Sequence, residues 1–228
     1  MKVSEMQFEH GKLKSNFKQR EFSKMKKIRL VGKIIDLSNS EILKEFKSFN
    51  VDDWTVVGKP RWEVADALIV GGPEKDTHGQ IFYKTPYLGN IVMEFDARLV
   101  SPSDHDIIWW YRTSLESKPW GKGYLACLGG WFRNLVGIES VPDFALSVVS
   151  DSFRVRPDQW YHIVSGVVNN HHFIEVDNAV VFELCDPNPL PDNHSGHFGF
   201  GIYQSHAEYR NLVVYKPVWQ KIEEKYLT

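Results

Sequence analysis

Cysteine is nearly absent from this chain. Of 228 residues only Cys127 and Cys185 carry a thiol. Neither sits in a C-x-x-C or other metal-ligand spacing, which excludes a disulfide scaffold and a cysteine-built zinc site. No apolar run approaches the roughly 20 residues of a membrane-spanning helix. The first residues also hold no continuous apolar stretch of the secretory kind. The expectation is therefore a cytoplasmic protein with no membrane partner. A glycine loop that cradles phosphate ahead of a helix is missing, as is a Ser/His/Asp nucleophile elbow. Net charge is small, −2 at pH 7, but unevenly placed: residues 1–35 carry ten Lys/Arg against three acids, and residues 36–228 carry 17 against 26. The basic residues are scattered and the acidic body repels phosphate, which argues against a nucleic-acid partner.

Aromatic residues are abundant, with eight Trp, nine Tyr and fourteen Phe. They favour half-buried pleated surfaces and supply flat apolar platforms. From Trp54 onward, short apolar runs alternate with Gly, Pro, Asn and Asp, the pattern of an all-β sandwich. Strands are expected at Trp54–Val57, Arg61–Val70 (broken near Asp66), Gly79–Tyr83, Asn90–Val100, Ile107–Thr113, Gly123–Gly130, Asn134–Ile138 and Phe144–Val149. Five more fall at Trp160–Val168, Phe173–Val176, Val180–Leu184, Gly199–Gln204 and Tyr209–Tyr215. Asn169-Asn170 and Asp177-Asn178 read as hairpin turns, since Asn tolerates positive φ. Cys185–His194, with three prolines, reads as a loop. Upstream, Lys26–Asp36 reads as a strand, and Ile42, Leu43, Phe46 and Phe49 have helical spacing behind a possible cap at Ser40. The expected organisation is a basic extension over 1–50, a sandwich over 51–217 and a tail over 218–228.

Asn90–Val100 carries the clearest facial code: Ile91, Met93, Phe95, Ala97 and Leu99 point to a core, and Glu94, Asp96 and Arg98 point away. In Ile107–Thr113 (IIWWYRT), Trp110 and Arg112 are expected on one face.

In order and spacing, the segments DWTVVGKPRWEVADALIVGG, GNIVMEFDARL, IIWWYRT, GYLACLGG, PDQWYHIVSGVVNNHHFIEVDNAVVFE and GHFGFGIYQSHAEYRNLVV resemble the concanavalin A-like lectin/glucanase superfamily. Within it the chain looks like the 3-keto-disaccharide hydrolase domain family and the related YesU-like bacterial proteins, over about residues 50–216. The resemblance implies an antiparallel jelly roll of two sheets and a carbohydrate partner. It also implies a catalytic set on one concave face, in which Arg112 and His206 lie close to Glu94 or Asp96. Trp110 and Trp131 would be sugar platforms, with Tyr124, Gln204 and Arg210 also on substrate. The implied chemistry removes the acidified C2 proton of a 3-keto glycoside, expels the aglycone and adds water, with Arg112 or a divalent metal stabilising the enolate.

Glu94-x-Asp96 invites comparison with the E-x-D-x-E strand of family sixteen glucanases, but Arg98 stands where the third acid belongs. Asp104-His105-Asp106 lies in a loop, where oxygen ligands would suit calcium, a common ion in this superfamily. His194-x-x-His197 and His171-His172 read as surface or turn histidines. Three functions stay open: a keto-glycoside hydrolase or lyase, a silent carbohydrate-binding module, and a protein-docking domain. The basic arm and the segment at Val218-Trp219 and Tyr226 leave room for a homo-oligomer.

Overall fold

The structure is a computed structural model, and it describes residues 26–58, 62–65, 68–72, 78–115 and 122–223. Nine strands form one antiparallel sheet: β1 (Lys27–Leu30), β2 (Lys33–Glu45), β4 (Trp62–Ala65), β5 (Leu68–Gly71), β7 (Ile91–Leu99), β12 (Tyr161–Val168), β13 (His171–Val176), β14 (Ala179–Cys185) and β16 (Ala207–Lys221). Seven form the other: β3 (Trp54–Gly58), β6 (His78–Tyr83), β8 (Ile107–Thr113), β9 (Gly123–Gly130), β10 (Leu135–Val141), β11 (Ser147–Ser150) and β15 (His197–Tyr203). The larger runs β1-β2-β16-β7-β12-β13-β14 with β4 and β5 at its side, and the smaller runs β11-β10-β9-β8-β15-β6-β3. The expected jelly-roll sandwich is what the chain forms. Its one described helix is a 3-10 turn at Val51–Asp53.

The alternation in β7 works as expected, because the pleat sends successive side chains to opposite faces. Ile91, Met93, Phe95, Ala97 and Leu99 are all buried in the main core, against Trp109, Tyr111, Phe198, Phe200 and Tyr209 from across the sandwich and beside it. Phe200 stacks on Tyr209 at 4.1 Å, and the Tyr209 hydroxyl donates toward Gly201 O while accepting from Ile108 N. That hydroxyl ties the two sheets together without stranding a polar atom. The two hairpin turns also form as expected, with φ of 59 at Asn169 and 50 and 70 at Asp177 and Asn178.

The helix expected from Ser40 does not form. β2 continues through Glu45, and its partner β16 sets the register, with Ile42 opposite Tyr215 and Lys44 opposite Val214. Ladder pairing over thirteen residues overrides the helical spacing. Phe46 and Phe49 do bury, but from the link after the strand, where they meet Trp54. The strand expected over Lys26–Asp36 is a hairpin, turned at Gly32 with φ 71. Its Ile28 and Leu30 cover the outer face of the nine-stranded sheet, packing with Val92, Val164 and Phe173. Lys33 Nζ reaches Val168 O, and Val31 N donates to Glu183 on β14.

Candidate functional site

The charged row of β7 lies on this covered outer face. His162 of β12 stands between Asp96, 2.9 Å from Nδ1, and Glu94, 3.0 Å from Nε2. Those two bonds outweigh burial and lift the imidazole to about 9, so His162 is an imidazolium donating to both carboxylates. Burial pushes the Glu94 carboxyl up, but bonds from His162, Tyr215 and Lys26 together hold it at about 2. Asp96 also accepts from Asn211 at 2.7 Å and from Arg210 at 3.4 Å. Arg210 and Arg98 in turn lie over Trp160, at 3.8 and 4.8 Å. Glu94 is only 3% exposed. Every oxygen here is answered by a donor of the chain itself, which makes the cluster a fastener of the sheet.

The expected catalytic set is therefore not one set. Glu94, Asp96 and Arg210 are on the outer face of the nine-stranded sheet, while Arg112 belongs to β8 of the other. Arg112 does not share a face with Trp110 either. Its φ of 49 breaks the alternation of β8, beside a bulge against β15. The side chain is fully buried, and its Nη2 donates to Leu190 O and pairs with Asp192 at 3.2 Å. Tyr124 likewise points into the main core, where its hydroxyl donates to Asp186 and accepts from Leu190 N, each at 2.8 Å. His206 lies in the turn before β16, its backbone bonded to Ser103 and Val100. Gln204, at φ 53, is exposed in the same turn. His171 and His172, read as surface or turn histidines, are 3% and 0% exposed: His172 packs against Tyr111 and Tyr124 inside the sandwich, and His171 Nε2 lies 3.2 Å from Glu183 of β14.

Asp104 and Asp106 do not form a calcium cradle. Asp104 is exposed and bonds His105 Nδ1 at 2.8 Å, whereas Asp106 is buried and accepts from the Cys127 thiol at 3.4 Å. Among the described residues no three His, Cys, Asp or Glu side chains are grouped to hold a metal.

What the structure does assemble is a groove of about 220 Å³ on the outer face of the seven-stranded sheet. Its floor is Ile108, Leu125, Cys127 and Asp106, and its walls and lip are Trp131, Phe132, Glu139, Val141, Phe144 and Tyr203. Trp110 lies in the same cluster but is 0% exposed, a support beneath the face. The Trp131 indole donates to Glu139 Oε1 at 2.8 Å, and Ser147 Oγ donates to the same oxygen. Room for that indole comes from Gly137, where a Cβ would stand 2.8 Å from the ring. Phe132, 68% exposed, sits at the lip between His105 and Tyr203, each ring 5.7 Å away. Burial raises the Asp106 carboxyl to about 6, against the Cys127 hydrogen bond that lowers it.

Four lining residues, Asp106, Trp131, Phe132 and Phe144, hold φ between 53 and 67. Left-handed backbone at bulky residues costs about 1 kcal/mol or more each and gathers where a surface is shaped for use. Of the groove, the sequence marked Trp131 and Asp106. It missed Phe132, Glu139, Phe144 and Tyr203, whose faces depend on the β9–β10 turn and on pairing across β15.

No family model matches the chain, and no curated protein matches it by sequence. Solved structures match in fold. A Bacillus subtilis protein of unknown function with a galectin-like fold is 13% identical, with a TM-score of 0.61 over 79% of this chain and 98% of that one. Carbohydrate-binding module CBM66 from Bacillus subtilis is 18% identical, with a TM-score of 0.57 over 72% and 96%. The exoplasmic/lumenal domain of VIP36, in a form bound to Ca2+ and Man3GlcNAc, is 13% identical, with a TM-score of 0.57 over 81% and 93%. The chain is a two-sheet antiparallel sandwich of the galectin-like, concanavalin A-like fold.

Proposed function

We propose that this chain binds a carbohydrate in the groove on the outer face of the seven-stranded sheet. The observation that carries the reading is the pairing of exposed rings with fixed carboxyls in one recess. Phe132, Phe144 and Trp131 offer apolar faces for a sugar ring, and Glu139 and Asp106 offer oxygens to its hydroxyls. Two of the proteins with this fold carry the same partner class in their descriptions, a carbohydrate-binding module and a lumenal domain bound to a mannose glycan. The test is titration with a panel of mono- and oligosaccharides, followed by intrinsic tryptophan fluorescence. Saturable quenching by a glycan, lost in Trp131→Ala, supports the reading; a panel that leaves Trp131 emission untouched removes it.

A second reading, glycoside cleavage, is favoured by Asp106 itself. A carboxyl that keeps its proton to about pH 6 at the floor of a groove can donate to a glycosidic oxygen. Glu139 on the wall would then serve as the base for an attacking water. The keto-glycoside chemistry implied by the sequence resemblance would need its cation from elsewhere than Arg112, which lies inside the sandwich. Release of sugar from plain or 3-keto glycosides, abolished in Asp106→Asn, separates an enzyme from a binding module.

A further inference from the structure

Arg112 is a buried cation whose hydrogen-bonding capacity is mostly unused. Its side chain is 0% exposed, yet Nε and Nη1 have no partner among the described residues. Only Nη2 is engaged, by Leu190 O and by Asp192, a carboxylate that is itself 73% exposed. Beside it, the His172 ring is held neutral, its pKa pushed down to about 3 by burial and then by the charge of Arg112. Its Nδ1 shares a hydrogen bond with the Tyr111 hydroxyl at 2.9 Å, and its Nε2 is again without a partner among the described residues. The nearby buried carboxylate does not answer these donors, because Asp186 is taken up by Tyr124 and by Asn188 N. The unused groups of the guanidinium are both donors.

The stretch that caps Arg112 is also the wall of an open cavity. Leu190 and Asp192 line a recess of about 430 Å³ together with Asn169, Asn170, Pro189 and Pro191. A guanidinium binds a carboxylate best through two parallel N–H bonds, and Asp192 uses only one nitrogen. Because Asp192 is itself 73% exposed, it can leave the guanidinium for water without being stranded. Replacing it with another carboxylate leaves the local charge unchanged.

We propose that this end of the sandwich is a carboxylate-binding site, in which Arg112 takes the carboxylate of a ligand entering the cavity and Asp192 occupies its place until then. The site is separate from the groove and stands whether or not the groove binds a glycan. The experiment is an NMR titration of the full chain with sodium glucuronate, sodium acetate and neutral glucose, repeated on Asp192→Asn. Both carboxylates are expected to shift the Asn170 and Leu190 amides saturably, and glucose is expected to leave them in place. Asp192→Asn should bind the carboxylates about tenfold tighter, since an internal competitor is gone. Tighter binding of glucuronate than of acetate identifies an acidic sugar as the ligand, and equal binding identifies the carboxylate alone. Arg112→Lys, which keeps the charge but not the fork, should lose the shifts while its circular dichroism stays that of the parent. No saturable shift by either carboxylate, or unchanged affinity in Asp192→Asn, overturns the proposal. Trp131→Ala should bind carboxylates as the parent does, so the two sites fail independently.

Discussion

Trp131 and Glu139 face each other across the β9–β10 hairpin, the indole N–H donating to the carboxylate at 2.8 Å. One bond thus orients both the aromatic platform and the acceptor of the groove. Altering Glu139 releases the indole, and altering Trp131 leaves that oxygen of Glu139 to the Ser147 hydroxyl alone.

Trp131→Ala should therefore lower glycan affinity more than the loss of a ring face alone, by tenfold or more, about 1.4 kcal/mol. Phe132→Ala should weaken binding too, yet change stability by less than about 0.5 kcal/mol, because that ring is already 68% exposed. Calorimetric titration and thermal melts of the two variants separate the effects.

Asp106 should make the protein less stable as pH rises. Its folded pKa of about 6 lies above the ordinary 3.8, so its contribution is fully present below 3.8 and is lost as pH climbs through 6. Asp106→Asn should match the parent near pH 4 and exceed its stability near pH 8 by about 2 to 3 kcal/mol. Urea melts at the two pH values read the difference. Equal gains at both would assign the effect to packing.

The His162 cluster should behave in the opposite sense at its two ends. His162 is raised from 6.5 to about 9, so its contribution is complete below 6.5 and fades as pH rises through 9. Glu94 is lowered from 4.5 to about 2, so its contribution is complete above 4.5 and fades as pH falls through 2. His162→Gln should cost on the order of 1 to 3 kcal/mol between pH 4.5 and 6.5, and much less near pH 10. A flat difference across that range would show that the imidazolium is not the species that holds Glu94 and Asp96.

Leu30→Ala should destabilise the protein by about 2 to 4 kcal/mol, although it lies in the basic N-terminal stretch. Leu30 is 2% exposed and packs on the outer face of the nine-stranded sheet. Denaturant melts of the variant measure how much of the body's stability that hairpin supplies.

Strands were legible wherever one segment's own alternation decided its faces. β8 and β9 match their expected bounds residue for residue, and β7 places its five apolar residues in the core. The expectation failed where a face depends on a partner distant in sequence. The end of β2, from Ser40 onward, reads as a helix until β16 pairs with it. Arg112 reads as a neighbour of Trp110 until a positive φ turns it inward. His171 and His172 read as surface or turn histidines until both faces of β13 are covered. The site suffered most, since Glu94 and Arg112 looked alike as outward residues of adjacent strands in sequence, and nothing local assigned them to different sheets.

β16 has a kinetic meaning as well. It bridges β2 and β7 in the middle of the larger sheet, and Val218 N bonds to Ser40 Oγ across 178 residues of sequence. Pairing over such separations is slow, because a long loop must close before the contact rewards it. During synthesis the strand that joins the two halves leaves the ribosome after both of its neighbours. Until it arrives, one edge of β2 and one edge of β7 stand bare, and those are the edges by which nascent chains of this protein would stick to one another.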